Sequence, residues 1–371
     1  MREKSGNDQL SGAVSGHLTV NLIALVANWR FLADKVAPAE CAGVIKADAY
    51  GIGLEPAMAA LARAGCRTFF VAHVSEGVRA RGVSKTANIF ILNGLATDSE
   101  AVYAKYSLVP VLGSWLELRR WAAFCQTYQP LPAALHFNTG MNRHGFEASD
   151  IDDILAGELN FPLRLVMSHL SSSENPQAPE NAVQTALFEQ IRAQFLEIPG
   201  SLANSSGVFL CSKPFFSLVR PGFALYGGNP QPGLTNPMQR VVSLTAPIIQ
   251  VREVAAGVAV GYNGLWTTKR PSRLATLNIG YADGLPRSAR GTDAKPGANA
   301  YIRGVVCPFV GAISMDMSVI DVTTVTDVSA GMDVEILGPH QSVDQLGEAC
   351  GTIGYEILTR LGQRFFRTYL D

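Results

Sequence analysis

The sequence predicts an α/β fold, a closed (β/α)8 barrel of the TIM type followed by a mostly β C-terminal domain. Between about residue 22 and residue 225, short continuous apolar runs alternate with amphipathic helical stretches, the pattern of a parallel sheet covered by helices. About eight such units over some 220 residues suit a closed barrel. After about Pro247 the hydrophobic period falls to two, which marks strands with one buried and one wet face.

The apolar runs at residues 41–47, 68–74, 87–92, 133–137, 163–167 and 223–226 read as barrel strands. Between them, residues 182–197 place Val183, Leu187, Ile191 and Phe195 at every fourth position, which predicts a helix with one apolar stripe. In the second part, Met332, Val334 and Ile336 alternate with Asp333 and Glu335. Runs at 274–279 and 317–322 behave similarly, and residues 343–350 form the main helical stretch. At 371 residues the chain exceeds the size at which one core stops growing. The expected organisation is a mobile N-terminal tail at residues 1–15, the barrel at 16–246 and the β domain at 247–371.

With 47% hydrophobic residues, 16% charged and a net charge of −1, the chain has no electrostatic reason to seek nucleic acid, and a small zwitterion suits it better. The six cysteines are scattered, with no C-x-x-C pair, so they read as reduced, buried thiols, and no metal site is expected. No apolar stretch approaches the ~20 residues that span a bilayer, and the first residues lack the apolar core of a secretion signal. A cytoplasmic protein is expected.

The segment carrying most chemical information runs from Gly43 through Val44, Ile45, Lys46, Ala47, Asp48, Ala49, Tyr50, Gly51 and Ile52 to Gly53. A lysine at the end of an apolar strand loses hydration, which lowers its pKa, and a neutral amine can form a Schiff base with an aldehyde cofactor. The glycines permit tight turns beside a ligand, and the Tyr50 hydroxyl can donate to a phosphate.

This segment resembles the cofactor-lysine motif of the alanine racemase family, and further stretches in the same order resemble it too. They are residues 139–143 (Thr-Gly-Met-Asn-Arg), 202–207 (Leu-Ala-Asn-Ser-Ser-Gly), 220–227 (Arg-Pro-Gly-Phe-Ala-Leu-Tyr-Gly) and 279–284 (Ile-Gly-Tyr-Ala-Asp-Gly). Weaker echoes at Ser314-Met315-Asp316 and Gly354-Tyr355-Glu356 extend the likeness to nearly the whole chain. Any one could arise by chance, whereas the ordered set is specific.

The resemblance implies pyridoxal 5'-phosphate as cofactor, held by Lys46, and interconversion of L- and D-alanine in a bacterium. Lys46 and Tyr281 would be the two catalytic acid/bases on opposite faces of the α-carbon, as inversion of a stereocentre requires. His169 matches the family histidine that helps the phenol ionise. Arg220 matches the arginine facing the pyridine nitrogen, where a guanidinium keeps that nitrogen unprotonated. Tyr50, Asn204, Ser205, Gly222, Phe223 and Tyr355 map to the cofactor-binding set, mostly around the phosphate. Arg143 and the Met315 amide correspond to substrate-carboxylate contacts. In the family Tyr281 and Met315 come from a second subunit, which implies a homodimer with shared sites.

The likeness breaks at two places. Where many relatives carry a carbamylated lysine, seven residues before the arginine, this chain has His136, followed by Asn138 where aspartate is frequent. A bound anion such as chloride, or a direct contact, is then expected to orient Arg143. Ile52 also replaces the usual histidine of the Tyr-Gly-His-Gly signature. A racemase accepting serine or larger side chains is the alternative enzyme, since a missing methylene discriminates by only ~1–3 kcal/mol. A decarboxylase on a similar barrel would prefer an acidic partner at the ring nitrogen, so Arg220 speaks against it. A cofactor-binding protein without turnover would resemble the barrel alone, whereas this chain keeps the domain bearing Tyr281.

Overall fold

The structure, a computed structural model, describes residues 16–157 and 159–371; the tail expected at residues 1–15 lies outside them. Two compact units emerge, Ile23–Gln239 and a second made of Arg240–Asp371 together with the N-terminal residues through Leu22.

In the first unit, strands follow one another in parallel around a barrel: Glu40–Cys41 continued by Gly43–Val44, then Thr68–Val71, Asn88–Ile91, Val109–Leu112, Ala133–His136, Leu163–Met167, Gly200–Ser201 and Leu218–Val219. The ring closes because Leu218–Val219 pairs in parallel with Glu40–Cys41. On its other side, Ser217 N–H donates to Gly200 O and Arg220 N–H to Ala203 O, both at 2.9 Å. Four of the strands bury nearly every side chain, Phe69, Phe70, Val111, Ala134 and Leu135 among them with no exposure, as a sheet covered on both faces requires.

Three of these strands, Val109–Leu112, Gly200–Ser201 and Leu218–Val219, escaped the sequence reading, and two have only two residues, too few to make an apolar run. The run at 223–226, read as a strand, is instead a 3-10 turn, Phe223–Tyr226, closed by Gly227 at φ +88°. Its apolarity reflects complete burial, not strand pairing. The helix Pro179–Ala193 exists, but its buried face is Asn181, Gln184, Phe188 and Ile191, while Val183 is 64% exposed. A spacing of four drifts around a helix of 3.6 residues per turn, and here polar Asn181 and Gln184 face inward because loop backbone awaits them.

In the second unit the 13-residue strand Val242–Val254 is the organiser, with Val242, Leu244, Ala246 and Ile248 buried alternately. It pairs antiparallel with His17–Asn21, Asp333–Leu337 and Ser272–Leu277. The strand His17–Asn21, expected with the barrel, thus belongs to this sheet, and it also pairs in parallel with Phe366–Leu370. Ser318–Asp321 extends the sheet beyond Ser272–Leu277. Helix Val343–Ala349 starts where Ser342 Oγ accepts from Gln345 N–H at 3.1 Å. No helix among the described residues is long and apolar enough to cross a membrane.

Candidate active site

Immediately after the first barrel strand, Ala47, Asp48, Ala49 and Tyr50 all adopt left-handed backbone, with φ between +52° and +55°, before Gly51 at +85° and Gly53 at +106°. Left-handed backbone costs roughly 1–2 kcal/mol per non-glycine residue, so the turn persists only because its surroundings impose it. One clamp is Glu76, on the next βα unit. Its Oε1 accepts Ala47 N–H at 2.6 Å and Asp48 N–H at 3.4 Å, and its Oε2 accepts Ala72 and His73 N–H at 2.9 and 3.1 Å. Another is Asp48 Oδ1, which accepts Leu54 N–H at 3.1 Å and pairs with Arg79 at 2.6 Å. Ile52, at the family's histidine position, is fully buried, so an apolar side chain fills that place.

Lys46 opens this turn. Burial lowers its amine pKa, and the nearby Arg143 and Arg220 guanidinia push it further the same way, opposed in part by Glu76. None of Lys46, Arg143 and Arg220 has a carboxylate within ion-pair distance among the described residues. Arg143 is exposed on the loop after Ala133–His136. His136, also on that strand's end, meets His144 edge to face with ring centroids 5.3 Å apart. Burial, Arg220, His144 and Arg143 together depress the His136 pKa to about 3, so its ring is neutral near pH 7.

Arg220, 4% exposed, donates to Ser201 Oγ at 2.5 Å and to Ser168 O at 2.6 Å, and lies 3.3 Å from His169 Nδ1. Its guanidinium also sits 5.8 Å from the Phe70 ring centroid. Burial lowers its pKa to about 9. His169 is driven well below the ordinary histidine value by burial first and by Arg220 next. A neutral ring facing a guanidinium offers its Nδ1 lone pair, which puts the proton on Nε2. Buried Gln184 fixes this loop, donating to His169 O at 2.9 Å and to Thr139 Oγ1 at 3.2 Å while accepting from Ser171 N–H at 2.8 Å.

On the loop before the last barrel strand, Ser205 Oγ accepts the N–H groups of Gly222 at 3.0 Å and Ala224 at 3.2 Å, which follow that strand. Tyr50 stacks on Tyr226 with centroids 4.6 Å apart, and Tyr226 donates to Val44 O at 2.9 Å. Gly222 is a glycine for a steric reason, because a Cβ there would overlap the Tyr50 hydroxyl. Asn204 Oδ1 accepts from Ser173 Oγ at 2.8 Å and Gly207 N–H at 2.9 Å, so this side chain braces the turn before Ser205.

In the second unit, Tyr281 starts a 3-10 turn, is 38% exposed, and has the Arg287 guanidinium 5.9 Å from its ring centroid. Its N–H donates to Ser314 O, and Ala282 N–H to Met315 O, both at 3.0 Å. The two loops meet so closely that any side chain at Gly280 would collide with the Met315 carbonyl. Fully buried Asp283 accepts Gly280 N–H at 2.9 Å and pairs with Arg364 at 2.7 Å, and Arg364 also pairs with Asp316 at 2.8 Å. Tyr281 and Met315 therefore travel as one fixed element. Tyr355 sits, half-buried, in the first turn of Gly354–Thr359.

The structure brings Lys46, Tyr50, Arg143, His169, Asn204, Ser205, Arg220, Gly222 and Phe223 onto loops at the C-terminal ends of the barrel strands, the face where barrel chemistry resides. Tyr281, Met315 and Tyr355 belong to the other unit. Sequence reasoning missed Glu76, Ser168, Gln184 and Ser201. Only Gln184 left a signal, as a polar residue one position beyond an apolar one in a helix. The donor set suits a phosphorylated pyridine aldehyde: an amine whose pKa burial lowers, a buried guanidinium with neutral partners, and a turn at Ser205 and Gly222 where the missing Cβ lets the Tyr50 hydroxyl approach.

The family models for the alanine racemase N-terminal domain and the alanine racemase C-terminal domain match residues 20–230 and 241–369. An alanine racemase of Methylobacterium sp. (strain 4-46) is 49% identical over 359 residues, covering 95% of this chain and 97% of that protein. One from Methylobacterium nodulans is 49% identical over 97% of this chain and 98% of its own. Among solved structures, alanine racemase from Bartonella henselae with covalently bound pyridoxal phosphate superposes with a TM-score of 0.91 at 38% identity, covering 96% of this chain and 99% of that one.

Proposed function

The chain belongs to the alanine racemase family, and from that premise we propose that it interconverts L- and D-alanine with Lys46 and Tyr281 as opposed acid/bases. The observation that carries this is the placing of half-buried Lys46 at the C-terminal end of the first barrel strand, where burial and the Arg143 and Arg220 charges lower its amine pKa and neither guanidinium has a carboxylate partner among the described residues. Such a site attracts a phosphate, a phenolate oxygen and a substrate carboxylate together.

Pyridoxal phosphate, when bound, supplies a conjugated ring that delocalises the charge left at the α-carbon. The residues do the rest. Lys46 Nζ holds the cofactor and, once released, takes or returns the α-proton on one face. The Tyr281 phenol serves the other face, entering from a second copy of the chain. Met315, fixed to the same loop pair and 54% exposed, supplies its amide to the substrate carboxylate beside Arg143. Exposed Tyr281, Met315 and Met317 give this loop pair an apolar surface suited to a dimer interface. We assign the cofactor lysine to the barrel unit Ile23–Gln239 and Tyr281 to the unit that contains Arg240–Asp371.

His169, with its proton on Nε2, can donate to the ionised phenol, while Arg220 would help hold the cofactor ring, its guanidinium giving up no proton to a ring nitrogen. Because Ser205 Oγ already accepts two backbone N–H groups, its own proton is left to donate to the phosphate. Tyr50 and Phe223 N–H join it, with Asn204 and Gly222 shaping the loop. With His136 neutral and no carboxylate paired to Arg143 among the described residues, an anion such as chloride orients that arginine. Alanine KM that does not respond to replacing chloride by a bulky anion would exclude this detail. The enzyme works in the cytoplasm, supplying D-alanine for peptidoglycan or degrading it.

Purified protein with pyridoxal phosphate and L-alanine should lose optical rotation to zero, and D-alanine should reach the same end point. Unchanged rotation with alanine would overturn the reading, and faster loss with serine would shift it to the broader racemase.

A further inference from the structure

We propose that Glu76 is a positioning residue for the racemase reaction, holding the left-handed turn Ala47–Tyr50 and so aiming Lys46 at the substrate α-carbon. This rests on the reading of Lys46 above. The two oxygens of this carboxylate have separate duties. Oε2 takes the N–H groups of Ala72 and His73, which caps the helix Val74–Val83. Oε1 crosses to the neighbouring loop and takes Ala47 and Asp48 N–H. A residue needed only as a helix cap would have no use for the second set.

The crossing contact falls where it matters most for geometry. Ala47 is the residue after the lysine and the first of four non-glycine residues in left-handed backbone. Backbone bonds such as Ala49 N–H to Ile45 O and Gly51 N–H to Ala47 O hold the later part of the turn, and Asp48 is engaged with Leu54 and Arg79, so at its start Glu76 is the side chain that takes the N–H groups of Ala47 and Asp48. The charge adds a second effect, since the carboxylate partly offsets the two guanidinia acting on the Lys46 amine.

Glu76→Gln separates the duties, because an amide can accept on one side only and must present N–H donors to the other set. The tests are amide hydrogen exchange of the apo and loaded protein, and steady-state kinetics with alanine. The expected result is exchange at residues 46–50 faster by about tenfold, with kcat lower by roughly ten- to a hundredfold from misplacement of the amine. Alanine KM should stay within about twofold. Glu100→Gln, which breaks an ion pair with Arg120 elsewhere on the barrel, should leave all three unchanged. If Glu76→Gln does not accumulate as folded protein, Glu76→Asp carries the same test, since the shorter side chain cannot span both sets.

Parental exchange at residues 46–50, or faster exchange confined to 74–83 with kcat preserved, would overturn the proposal. A Lys46→Ala control keeps the two readings apart. Loss of cofactor there with parental behaviour of the Glu76 variant sinks only the positioning role, whereas retained cofactor sinks the assignment of Lys46.

Discussion

The Arg220 guanidinium stands 3.3 Å from His169 Nδ1, and every acceptor it contacts is uncharged: Ser201 Oγ, Ser168 O and the imidazole. A fully buried cation with only neutral partners is costly to maintain. Its expected return is a fixed positive field that keeps His169 free of a proton.

Arg220→Lys tests this arrangement. An ammonium is a point donor and cannot reach three separated acceptors as a planar guanidinium does. We expect the apo protein to lose about 2–3 kcal/mol of stability, measured by thermal or denaturant unfolding. Racemase activity should fall more steeply than cofactor occupancy.

The buried histidines set an acid limit on stability. An unfolded histidine takes a proton near the ordinary value of 6.5, whereas folded His136 does so only near 3 and His169 is likewise well depressed. Between those values the unfolded chain binds more protons, so stability rises with pH, and on acidification it is lost from about pH 6.5 downward. A melting-temperature series from pH 7 to pH 4 should show this decline. His136→Asn should flatten it, while an identical slope in that variant would remove His136 as a cause.

Gly222→Ala places a methyl where the Tyr50 hydroxyl lies. The stacked Tyr50–Tyr226 pair would have to move, disturbing the cradle at Ser205. Cofactor affinity, titrated by absorbance, should weaken by roughly tenfold or more, following about 1.4 kcal/mol for each factor of ten.

Much of this was legible in the sequence because backbone and chemistry write different marks. Long apolar strands such as Thr68–Val71 and Leu163–Met167 stand out, as does the two-residue alternation around Asp333–Leu337. Gly200–Ser201 and Leu218–Val219 do not, since two-residue strands carry no period, and Phe223–Tyr226 misled because complete burial makes a turn look like a strand. In the site, Lys46, Arg220 and Ser205 were visible through ordered motifs. Glu76 and Gln184 were hidden, because each acts on backbone N–H or C=O groups brought near only by folding. The left-handed turn itself falls on Ala, Asp, Ala and Tyr, of which only the aspartate has any leaning toward positive φ.

Tyr281→Phe should slow solvent-proton exchange unequally for L- and D-alanine, since each base removes the proton from one enantiomer first. Exchange followed by NMR in heavy water, with equal loss for both enantiomers, would count against two opposed bases.

Chemical trapping reads out the proposed bond between Lys46 and the cofactor. When the protein is loaded with pyridoxal phosphate, reduced with borohydride and its peptides mapped by mass spectrometry, a single pyridoxyl adduct is expected on the peptide containing Lys46, absent in Lys46→Ala. An adduct on a different lysine, or its persistence in that variant, would place the cofactor elsewhere and overturn the assignment of Lys46.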